Sequence, residues 1–337
     1  VDLKRTNSEV RPEIEQKLAE IFDENSFILG KNVKEFEQKF AQYCDSKYCV
    51  AINNGTSALH LSLLALGVGK GDEVLTAPNS FFATSEAISL SGAKPVFIDI
   101  EKDTFTIDPS LLEKAITKKT KAIMPVNLYG QTSEMKPLVE IAQKHNLHLI
   151  DDCAQSHGAL YAGRKSGSFG ILNCFSFYPT KNLGSFGEAG AIVTTDAELA
   201  AKLELLRAHG EKPKNHHSLI CVNYRLEEIQ GAVLTVKLRH LDKWNEGRIK
   251  AAKKYKELLE EIKQVTLPVE KEGRKHVYHL FVTKQEKRDD LKLFLENKGV
   301  HTAVHYPELI NRQPPYLGAS KESVPVAEKT VKQILSL

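Results

Sequence analysis

Residues 147–181 read LHLIDDCAQSHGALYAGRKSGSFGILNCFSFYPTK, and this stretch decides how the rest of the chain is interpreted. Its apolar start, LHLI, predicts a short buried strand. Two adjacent carboxylates, Asp151 and Asp152, stand at the carboxyl end of that strand. Lys181 follows in a loop that is rich in hydroxyl and aromatic side chains.

A strand-end carboxylate followed by a loop lysine matches the needs of pyridoxal 5'-phosphate (PLP). The cofactor requires an amine that forms a Schiff base with its aldehyde and an anion that keeps its pyridine nitrogen protonated. Lys181 and Asp152 are the candidates. Alone, a loop lysine is usually solvated and a strand-end aspartate is usually a cap, so the prediction depends on their combination.

A strand, a turn and a helix upstream predict a phosphate-binding loop. The run KYCVAI ends at residue 52, and NNGTSALHLSLLALGVG follows it. Gly55 would let the backbone approach a ligand, and the start of the helix would favour an anion. Plain N-capping explains the same pattern, so this loop supports a cofactor site only together with Lys181 and Asp152.

The alternation of short apolar runs predicts an α/β fold. Strand candidates EVLTAP, KPVFIDI, KAIMPVNLYG and LHLIDD alternate with helix candidates FATSEAISLSG, PSLLEKAI and KPLVEIAQKHN, and two further strands, NCFSFYPTK and AGAIVTT, follow. This order predicts a three-layer α/β/α unit with a mostly parallel sheet. Because ligands bind at the carboxyl ends of such strands, the Gly55 loop, Phe81, the turn at Asn127 and Asp152 are expected to form one site.

The length of 337 residues predicts a second, smaller domain. We expect a large PLP-binding domain over residues 1–240 and a small α/β domain over residues 241–337. The small domain would contain HLFVTKQ and VHTAVHYP as strands and RDDLKLFLENKG as a helix. A long helix that starts after Asn223 would bridge the two domains, and the N-terminal helix would pack against the small one.

Composition excludes several classes of function. The net charge of +3, from 46 basic and 43 acidic residues, gives no reason to expect a nucleic-acid partner. Five cysteines without a CxxC pair predict neither a disulfide framework nor a zinc site, and they fit a reduced, cytoplasmic setting. The adjacent pair His216 and His217 is interpreted as part of a surface loop, so no metal is expected. No apolar run reaches the roughly twenty residues of a membrane span, and the charged start predicts no signal peptide.

Several motifs in order resemble a known family. They are NNGTSALHLSLLALGVGKGDEV, PNSFFATSEAI, VNLYGQ, LIDDCAQSHGA, FSFYPTKNLG, GEAGAIVT, LRAHG, VNYRLEEIQGA and TAVHYPELINRQPPY. Together they resemble the DegT/DnrJ/EryC1/StrS sugar aminotransferases of PLP fold type I, over nearly the whole chain. The resemblance implies a PLP enzyme that aminates a nucleotide-linked keto-sugar.

The resemblance also implies roles for individual residues. Lys181, in the SFxxxK segment, would be the Schiff-base lysine and then the base that shuttles a proton. Asp152 would pair with the pyridinium nitrogen, Gln155 would lie by the phenolic oxygen of the cofactor, and Phe81 would stack on its ring. The phosphate would be held by Gly55, Thr56 and Ser176.

Other positions are implied to face the partner subunit or the substrate. Asn223 corresponds to an asparagine that reaches the phosphate of the neighbouring subunit, which implies a homodimer with shared active sites. Arg225 would contact the substrate or the interface, with a structural ion pair as an equal alternative. His305 and Tyr306 are substrate candidates.

The activity implied is amino transfer, with L-glutamate as the expected donor and pyridoxamine 5'-phosphate (PMP) as the intermediate form of the cofactor. VNLYGQ favours a dTDP- or UDP-linked 3-keto deoxyhexose over a 4-keto sugar. Asn127 and Asn311 stand where many relatives have histidine, at positions expected to handle the sugar and its nucleotide.

There are three alternative functions, and the sequence argues directly against one of them. Dehydratases of the same family carry histidine in place of the Schiff-base lysine, so Lys181 argues against that activity. A fold-type I enzyme on free amino acids, such as a desulfurase or an aldolase, is an alternative. A regulatory or scaffold protein that has lost its chemistry is another.

Overall fold

The computed structural model describes residues 3–318 and 323–337 of the chain. The strands, in chain order, are β1 (Tyr48–Ile52), β2 (Glu73–Thr76), β3 (Lys94–Phe97), β4 (Thr120–Ile123), β5 (His148–Asp152), β6 (Leu160–Tyr161), β7 (Arg164–Lys165), β8 (Leu172–Ser176), β9 (Gly190–Thr194), β10 (Arg274–Lys275), β11 (Val282–Lys284) and β12 (Ile334–Ser336). The α-helices are α1 (Leu3–Glu24), α2 (Lys31–Tyr43), α3 (Gly55–Ala65), α4 (Ala83–Leu90), α5 (Leu112–Ala115), α6 (Met135–Lys144), α7 (Ala197–Leu206), α8 (Glu228–Leu238), α9 (Leu241–Leu259), α10 (Arg288–Asn297) and α11 (Pro325–Val331).

A seven-stranded sheet in the order β1-β9-β8-β5-β4-β2-β3 forms the middle layer. The pairs β2/β3, β2/β4, β4/β5 and β5/β8 are parallel, whereas β9 runs antiparallel to both β8 and β1. The smaller sheets have the orders β10-β6-β7 and β11-β12. The expected mostly parallel sheet is therefore confirmed.

Both faces of the sheet are covered, which explains its continuous apolar strands. In β1, Val50 and Ile52 enter a core shared with α3, while Cys49 and Ala51 enter a second core shared with α2. Alternate side chains of a strand point to opposite faces, so one strand contributes to two cores. This arrangement is the three-layer α/β/α architecture that the sequence predicts.

Because β9 runs antiparallel to β8, the chain leaves the sheet at the end of β8 and re-enters it at the same end of the strands. Residues 177–189 join β8 to β9, and the Phe177 N–H donates to the Ala189 carbonyl over 2.8 Å. The Ser185 N–H donates to the Phe177 carbonyl over 2.7 Å, which folds the segment back on itself. The segment carries Lys181 and lies at the end of the sheet where β5 finishes with Asp152.

Helix α1 packs mainly against α8. Val10 and Ile14 contact Val233 and Val236 in a small apolar cluster. Glu9 also accepts a hydrogen bond of 3.2 Å from Trp244 Nε1, at the start of α9. The N-terminal helix thus contacts the chain on both sides of residue 240.

The predicted bridging helix is wrong as a continuous element. Helix α8 ends at Leu238 and α9 begins at Leu241. Helix α8 is buried over most of its surface against α1 and α2, whereas α9 buries only Leu241, Asn245 and Ala252. The two parts pack on different surfaces, so the helix breaks between them. The division into domains 1–240 and 241–337 remains a prediction.

The predicted strand VHTAVHYP is also wrong. Only Ala303 of this stretch forms a bridge, and its partner is Ser336. The strand that pairs with β11 is instead β12, near the end of the chain. After the bridge, the chain turns so that His305 and Tyr306 line the large cavity described below, which removes them from any strand.

Two smaller features complete the fold. The predicted helix PSLLEKAI is a 3₁₀ turn at Pro109–Leu111 followed by the single turn of α5. Among residues 3–318 and 323–337, no helix combines the length and apolar character that crossing a bilayer requires.

Candidate active site

A cavity of about 1330 Å³ opens at the carboxyl ends of β5 and β8. The sequence-predicted residues that line it are Gly55, Thr56, Phe81, Asp152, Gln155, Ser176, Lys181, His305 and Tyr306. Residues from the loop after β1, from β5 and β8, and from the C-terminal part of the chain therefore meet in one space. The expectation of a single site at the strand ends is met for the Gly55 loop, Phe81 and Asp152.

Lys181 is largely buried in the wall of this cavity. Burial lowers the pKa of its amine to about 8, and the nearby charge of Asp152 partly offsets the effect. An ammonium group loses hydration when it is buried, so its neutral form becomes easier to reach. The side chain is therefore more readily deprotonated than a surface lysine.

Asp152 ends β5 with its carboxylate held by two donors. Thr84 Oγ1 donates to Oδ2 over 3.0 Å, and the Ala154 N–H donates to Oδ1 over 3.1 Å. Burial raises the pKa of Asp152, while these hydrogen bonds and the charge of Lys181 act in the opposite direction. A buried carboxylate in this position favours a cation as its neighbour.

The neighbouring Asp151 faces away from the cavity because successive side chains of a strand alternate. Its Oδ1 accepts from Asn127 Nδ2 over 2.9 Å, and its Oδ2 accepts from Cys153 Sγ over 3.1 Å. Burial raises the pKa of Asp151 to about 7. Of the two carboxylates, Asp152 alone lines the cavity.

Asn127 does not lie in the cavity, which corrects the expectation for its turn. Its side chain is fully buried, with Nδ2 bonded to Asp151 and Oδ1 accepting from the Ser133 N–H over 2.8 Å. The physical reason is that the buried Asp151 carboxylate requires a donor on this face. Asn311, 9% exposed, likewise does not line the cavity.

The loop before α3 has the geometry of an anion site. Asn54 Oδ1 accepts from the Ser57 N–H over 2.8 Å and so caps the helix, whose first residue is Gly55. A β-carbon at Gly55 would lie 2.5 Å from the β-carbon of Ser176, so only glycine allows this approach of α3 to β8. The free N–H groups at the start of the helix, with Thr56 and Ser176 beside them, fit a phosphate.

Gln155 has a fixed orientation. Its Oε1 accepts from the Tyr129 N–H over 2.8 Å, and a backbone N–H is always a donor. Its Nε2 is therefore the remaining donor, and it lies 3.4 Å from the hydroxyl of Tyr306. Gln155 can thus offer a hydrogen bond to an oxygen bound in the cavity.

Aromatic side chains cover the same part of the cavity. Phe81 is 57% exposed, and its ring centre lies 5.6 Å from that of Tyr306. His305 Nδ1 lies 2.8 Å from Ser336 Oγ, which fixes the histidine against β12. An exposed ring at a cavity mouth is free to stack on a flat ligand.

Asn223 and Arg225 do not line the cavity of their own chain. Asn223 is exposed, and Arg225 Nε donates to its Oδ1 over 2.8 Å. Nearby, the side chain of Ile220 is fully exposed. The roles of Asn223 and Arg225 stay predictions.

Several residues at the site were not identified from sequence. Thr84 orients Asp152, Tyr224 lies with its hydroxyl 3.1 Å from His60 Nδ1, and Arg248 and His279 line the cavity from the C-terminal part. Thr84 lies within the motif PNSFFATSEAI and could have been found there. Arg248 and His279 stand in no strand-end pattern, and only the tertiary fold brings them to the site.

The donor set fits PLP. A lysine of lowered pKa, a buried carboxylate and a helix start that fits a phosphate meet in one cavity, and these are the three groups that the cofactor requires. Gln155 Nε2 is a further hydrogen-bond donor in the same cavity. Among the described residues, no cluster of His, Cys, Asp and Glu is suited to hold a metal ion.

Comparison with known proteins gives a consistent result. The model of the DegT/DnrJ/EryC1/StrS aminotransferase family matches residues 8–337. The chain is 46% identical over 341 residues to the "Pleiotropic regulatory protein" of Geobacillus stearothermophilus, covering 100% of this chain and 92% of that one. It is 42% identical over 339 residues to the dTDP-3-amino-3,4,6-trideoxy-alpha-D-glucose transaminase of Streptomyces venezuelae, covering 100% and 89%.

Solved structures share the fold over the whole chain. DesV of S. venezuelae has a TM-score of 0.97 at 42% identity, covering 100% of this chain and 91% of that one. NtdA of Bacillus subtilis, solved with the bound cofactor PMP, has a TM-score of 0.92 at 33% identity, covering 99% and 79%. The similarity therefore includes every element that lines the cavity.

Proposed function

The chain belongs to the DegT/DnrJ/EryC1/StrS aminotransferase family, and on this premise we propose that it transfers an amino group from L-glutamate to a nucleotide-linked keto-sugar. It is a PLP-dependent transaminase by family membership. The observation that carries the proposal is the buried Lys181, with a pKa of about 8, beside Asp152 at the strand ends. The cavity of about 1330 Å³ exceeds the roughly 300–1,000 Å³ of common small-molecule sites, which leaves room for cofactor and substrate.

When bound, PLP supplies an electrophilic aldehyde and a ring that takes up the electron pair of a broken C–H bond. Lys181 Nζ removes the proton from the α-carbon of the donor and later delivers a proton to the sugar carbon that receives nitrogen. At pH 7, a pKa of about 8 leaves about one amine in ten neutral, roughly two hundred times the fraction of an ordinary lysine. Burial thus prepares Lys181 to act as nucleophile and base.

Asp152 is proposed to hold the positive charge at the pyridine nitrogen. Its carboxylate is buried and oriented by Thr84 and the Ala154 N–H, so it cannot rotate away from the cavity. A cation beside it would lower its pKa and keep it charged. With PLP bound, this pairing would keep the ring in its electron-withdrawing form.

The remaining contacts position the cofactor. We assign the phosphate to the start of α3 with Gly55, Thr56 and Ser176, and the phenolic oxygen to Gln155 Nε2. Phe81 would cover the ring. These assignments leave His305 and Tyr306, which line the cavity next to Phe81 and Gln155, for the substrate.

A homodimer with shared sites is part of the proposal. Asn223 is exposed and lies outside the cavity of its own chain, and the fully exposed Ile220 stands close in sequence. A dimer interface here would remove the apolar surface of Ile220 from water, which is favourable. In a two-fold dimer each chain would give Asn223 to the site of its partner, with Arg225 holding the asparagine in place.

The sugar is proposed to be a 3-keto deoxyhexose on dTDP or UDP. The S. venezuelae relative named as a dTDP-3-amino-3,4,6-trideoxy-alpha-D-glucose transaminase supports amination at C3. A 4-keto sugar is the second candidate. A regulatory role without catalysis is suggested by the name of the G. stearothermophilus relative, but the intact set of Lys181, Asp152 and the phosphate loop favours catalysis.

The test is the visible absorption spectrum of the PLP-loaded protein before and after L-glutamate is added. Glutamate should convert the spectrum of bound PLP to that of bound PMP, and Lys181→Ala should fail to complete this conversion. A panel of dTDP- and UDP-linked 3-keto and 4-keto sugars should then restore the PLP spectrum for one class. Failure to bind PLP, or indifference to glutamate, would overturn the proposal.

A further inference from the structure

His279 stands in a segment that is pinned to the rest of the cavity wall. The Val277 N–H donates to the Gly130 carbonyl over 2.9 Å, and the Leu280 N–H donates to the Tyr129 carbonyl over 3.1 Å. Arg248 Nη1 donates to the His279 carbonyl over 3.2 Å. Because both sides of the residue are held by hydrogen bonds, His279 is presented in one position.

A chain of hydrogen bonds fixes which ring nitrogen of His279 carries the proton. Asn245 Nδ2 donates to the His157 carbonyl over 2.8 Å, so Asn245 Oδ1 is the acceptor for Asn182 Nδ2, also at 2.8 Å. Asn182 Nδ2 donates as well to the Val277 carbonyl over 3.1 Å. Backbone carbonyls only accept, so both amide orientations are determined.

Asn182 Oδ1 must therefore be the atom that faces His279 Nδ1, at 3.2 Å. An amide oxygen only accepts, so His279 Nδ1 must donate and must carry the proton. In the neutral ring, Nε2 is then an acceptor with a free lone pair. Asn182, the residue after Lys181, thus sets the tautomer of a histidine in the same cavity.

The Nε2 atom of His279 faces the cavity. It has no hydrogen-bond partner among the described residues. Both ring nitrogens of His157 also lack a partner but are fully buried, whereas His279 Nε2 is accessible. His279 is 7% exposed and lines the cavity, so its accessible nitrogen opens into that space. Burial and the charges of Lys181 and Arg248 lower the pKa of His279 well below its usual value, which keeps the ring neutral.

Only one of the two substrates offers a suitable partner for this lone pair. The carboxylates of a glutamate donor are acceptors, and its amino group is committed to the cofactor. A sugar carries hydroxyl groups, which donate. We propose that His279 Nε2 accepts a hydrogen bond from a ring hydroxyl of the sugar, and that it serves the sugar half-reaction alone; this inference rests on the proposed function.

The test compares His279→Leu, which removes the acceptor, with His279→Gln, which places an amide near the position of Nε2. Single-turnover rates are measured for PLP-loaded protein with L-glutamate and for PMP-loaded protein with a dTDP-linked 3-keto-6-deoxyhexose. Losing one hydrogen bond of about 1.4 kcal/mol should slow the sugar half-reaction of His279→Leu about 10-fold. His279→Gln should stay within about threefold, and the glutamate half-reaction should change less than about twofold in both.

Equilibrium binding to the cofactor-free protein gives a second readout. Calorimetric titration uses the dTDP-linked 3-amino product and its analogues lacking the hydroxyl at position 2 or 4. One analogue should bind the wild type about 10-fold more weakly than the product, while His279→Leu should not distinguish the two. Melting temperatures of the variants check that each is folded.

Equal slowing of both half-reactions in His279→Leu would show a merely structural role and overturn the inference, as would unchanged rates in both. If the wild type itself ignores glutamate, the proposed function fails, whereas the binding titration still decides the role of His279. The inference about His279 would also be overturned if the wild type bound the product and both analogues with equal affinity.

Discussion

A β-carbon at Gly55 would lie 2.5 Å from the β-carbon of Ser176, which is closer than such atoms can approach. Strand β8 and helix α3 therefore meet at a point where one of them must lack a side chain. The contact joins the proposed phosphate site to the strand that leads to Lys181.

Gly55→Ala should therefore weaken cofactor binding. Relieving the overlap requires α3 to move away from β8, which should cost about 1–3 kcal/mol and lower PLP affinity about 10-fold or more. Equilibrium dialysis and thermal denaturation measure the two effects. Gly247→Ala is the matched control, because nothing lies within 4 Å of its added β-carbon and it stands in helix α9. An unchanged PLP affinity in Gly55→Ala would show that the helix start does not hold the phosphate.

The two adjacent carboxylates should respond differently to the same substitution. Asp152→Asn should slow the glutamate half-reaction about 100-fold or more, because the ring nitrogen would lose its counter-charge. Asp151→Asn should change that rate less than about threefold and instead lower stability by about 1–2 kcal/mol, since Asp151 bonds to Asn127 and Cys153 behind the site. Stopped-flow spectra and denaturant unfolding separate the effects. Comparable rate losses in both would contradict the assignment.

Lys181→Met should stabilise the cofactor-free protein in a pH-dependent way. The pKa of Lys181 is about 8 in the folded chain because of burial. An unfolded lysine has a pKa of about 10.4, so the unfolded chain binds this proton first as the pH falls. The wild type thus loses stability from about pH 10.4 down to about pH 8, and below that the loss is complete, at up to about 3 kcal/mol.

The variant should consequently be more stable than the wild type at pH 7 by about 1–3 kcal/mol, with the gap closing towards pH 10.4. Urea unfolding of both proteins at the two pH values measures it. Lys250→Met, an exposed position of α9, serves as the control and should show no such gap. A gap of the same size at both pH values would mean that it arises from packing rather than charge.

Mixing two inactive variants should restore activity if sites are shared between subunits. Asn223→Ala removes the proposed contact to the partner, whereas Lys181→Ala removes the base of the same chain. Random reassociation gives half heterodimers, each with one intact site, so about a quarter of wild-type activity should return. Lys181→Ala mixed with Asp152→Asn should regain none, because both residues line the cavity of one chain. No recovery in the first mixture would argue against a shared site.

The sequence predicted the sheet well because its signals are local. The strands are apolar runs buried on two faces, as Val50 and Ala51 show even in the edge strand β1, and such runs are visible without knowledge of their partners. Asp152 is the candidate from its place at a strand end before the lysine loop, and strand alternation explains why Asp152 and not Asp151 meets the cavity.

What the sequence missed depends on distant partners. Strand β12 pairs with β11, which lies about fifty residues earlier in the chain. Because β12 takes this pairing position, the predicted strand VHTAVHYP keeps a single bridge, at Ala303. Asn127 looked like a site residue because it follows a strand, but the buried Asp151 draws it to the opposite face. The orientation of His279 depends on Asn182 and Asn245, which no local pattern connects.

The reversed direction of β9 also bears on how this enzyme can diversify. Every parallel pair of the sheet needs a connection that crosses one of its faces, so its length and helix are tied to the core. Residues 177–189 need no crossover, because β8 and β9 are antiparallel and the segment leaves and returns at the same end of the strands. After the lysine, only the exposed positions of this segment, Phe186 and Glu188, are therefore open to change in length or chemistry, because Asn182, Leu183 and Ser185 stay buried against the scaffold.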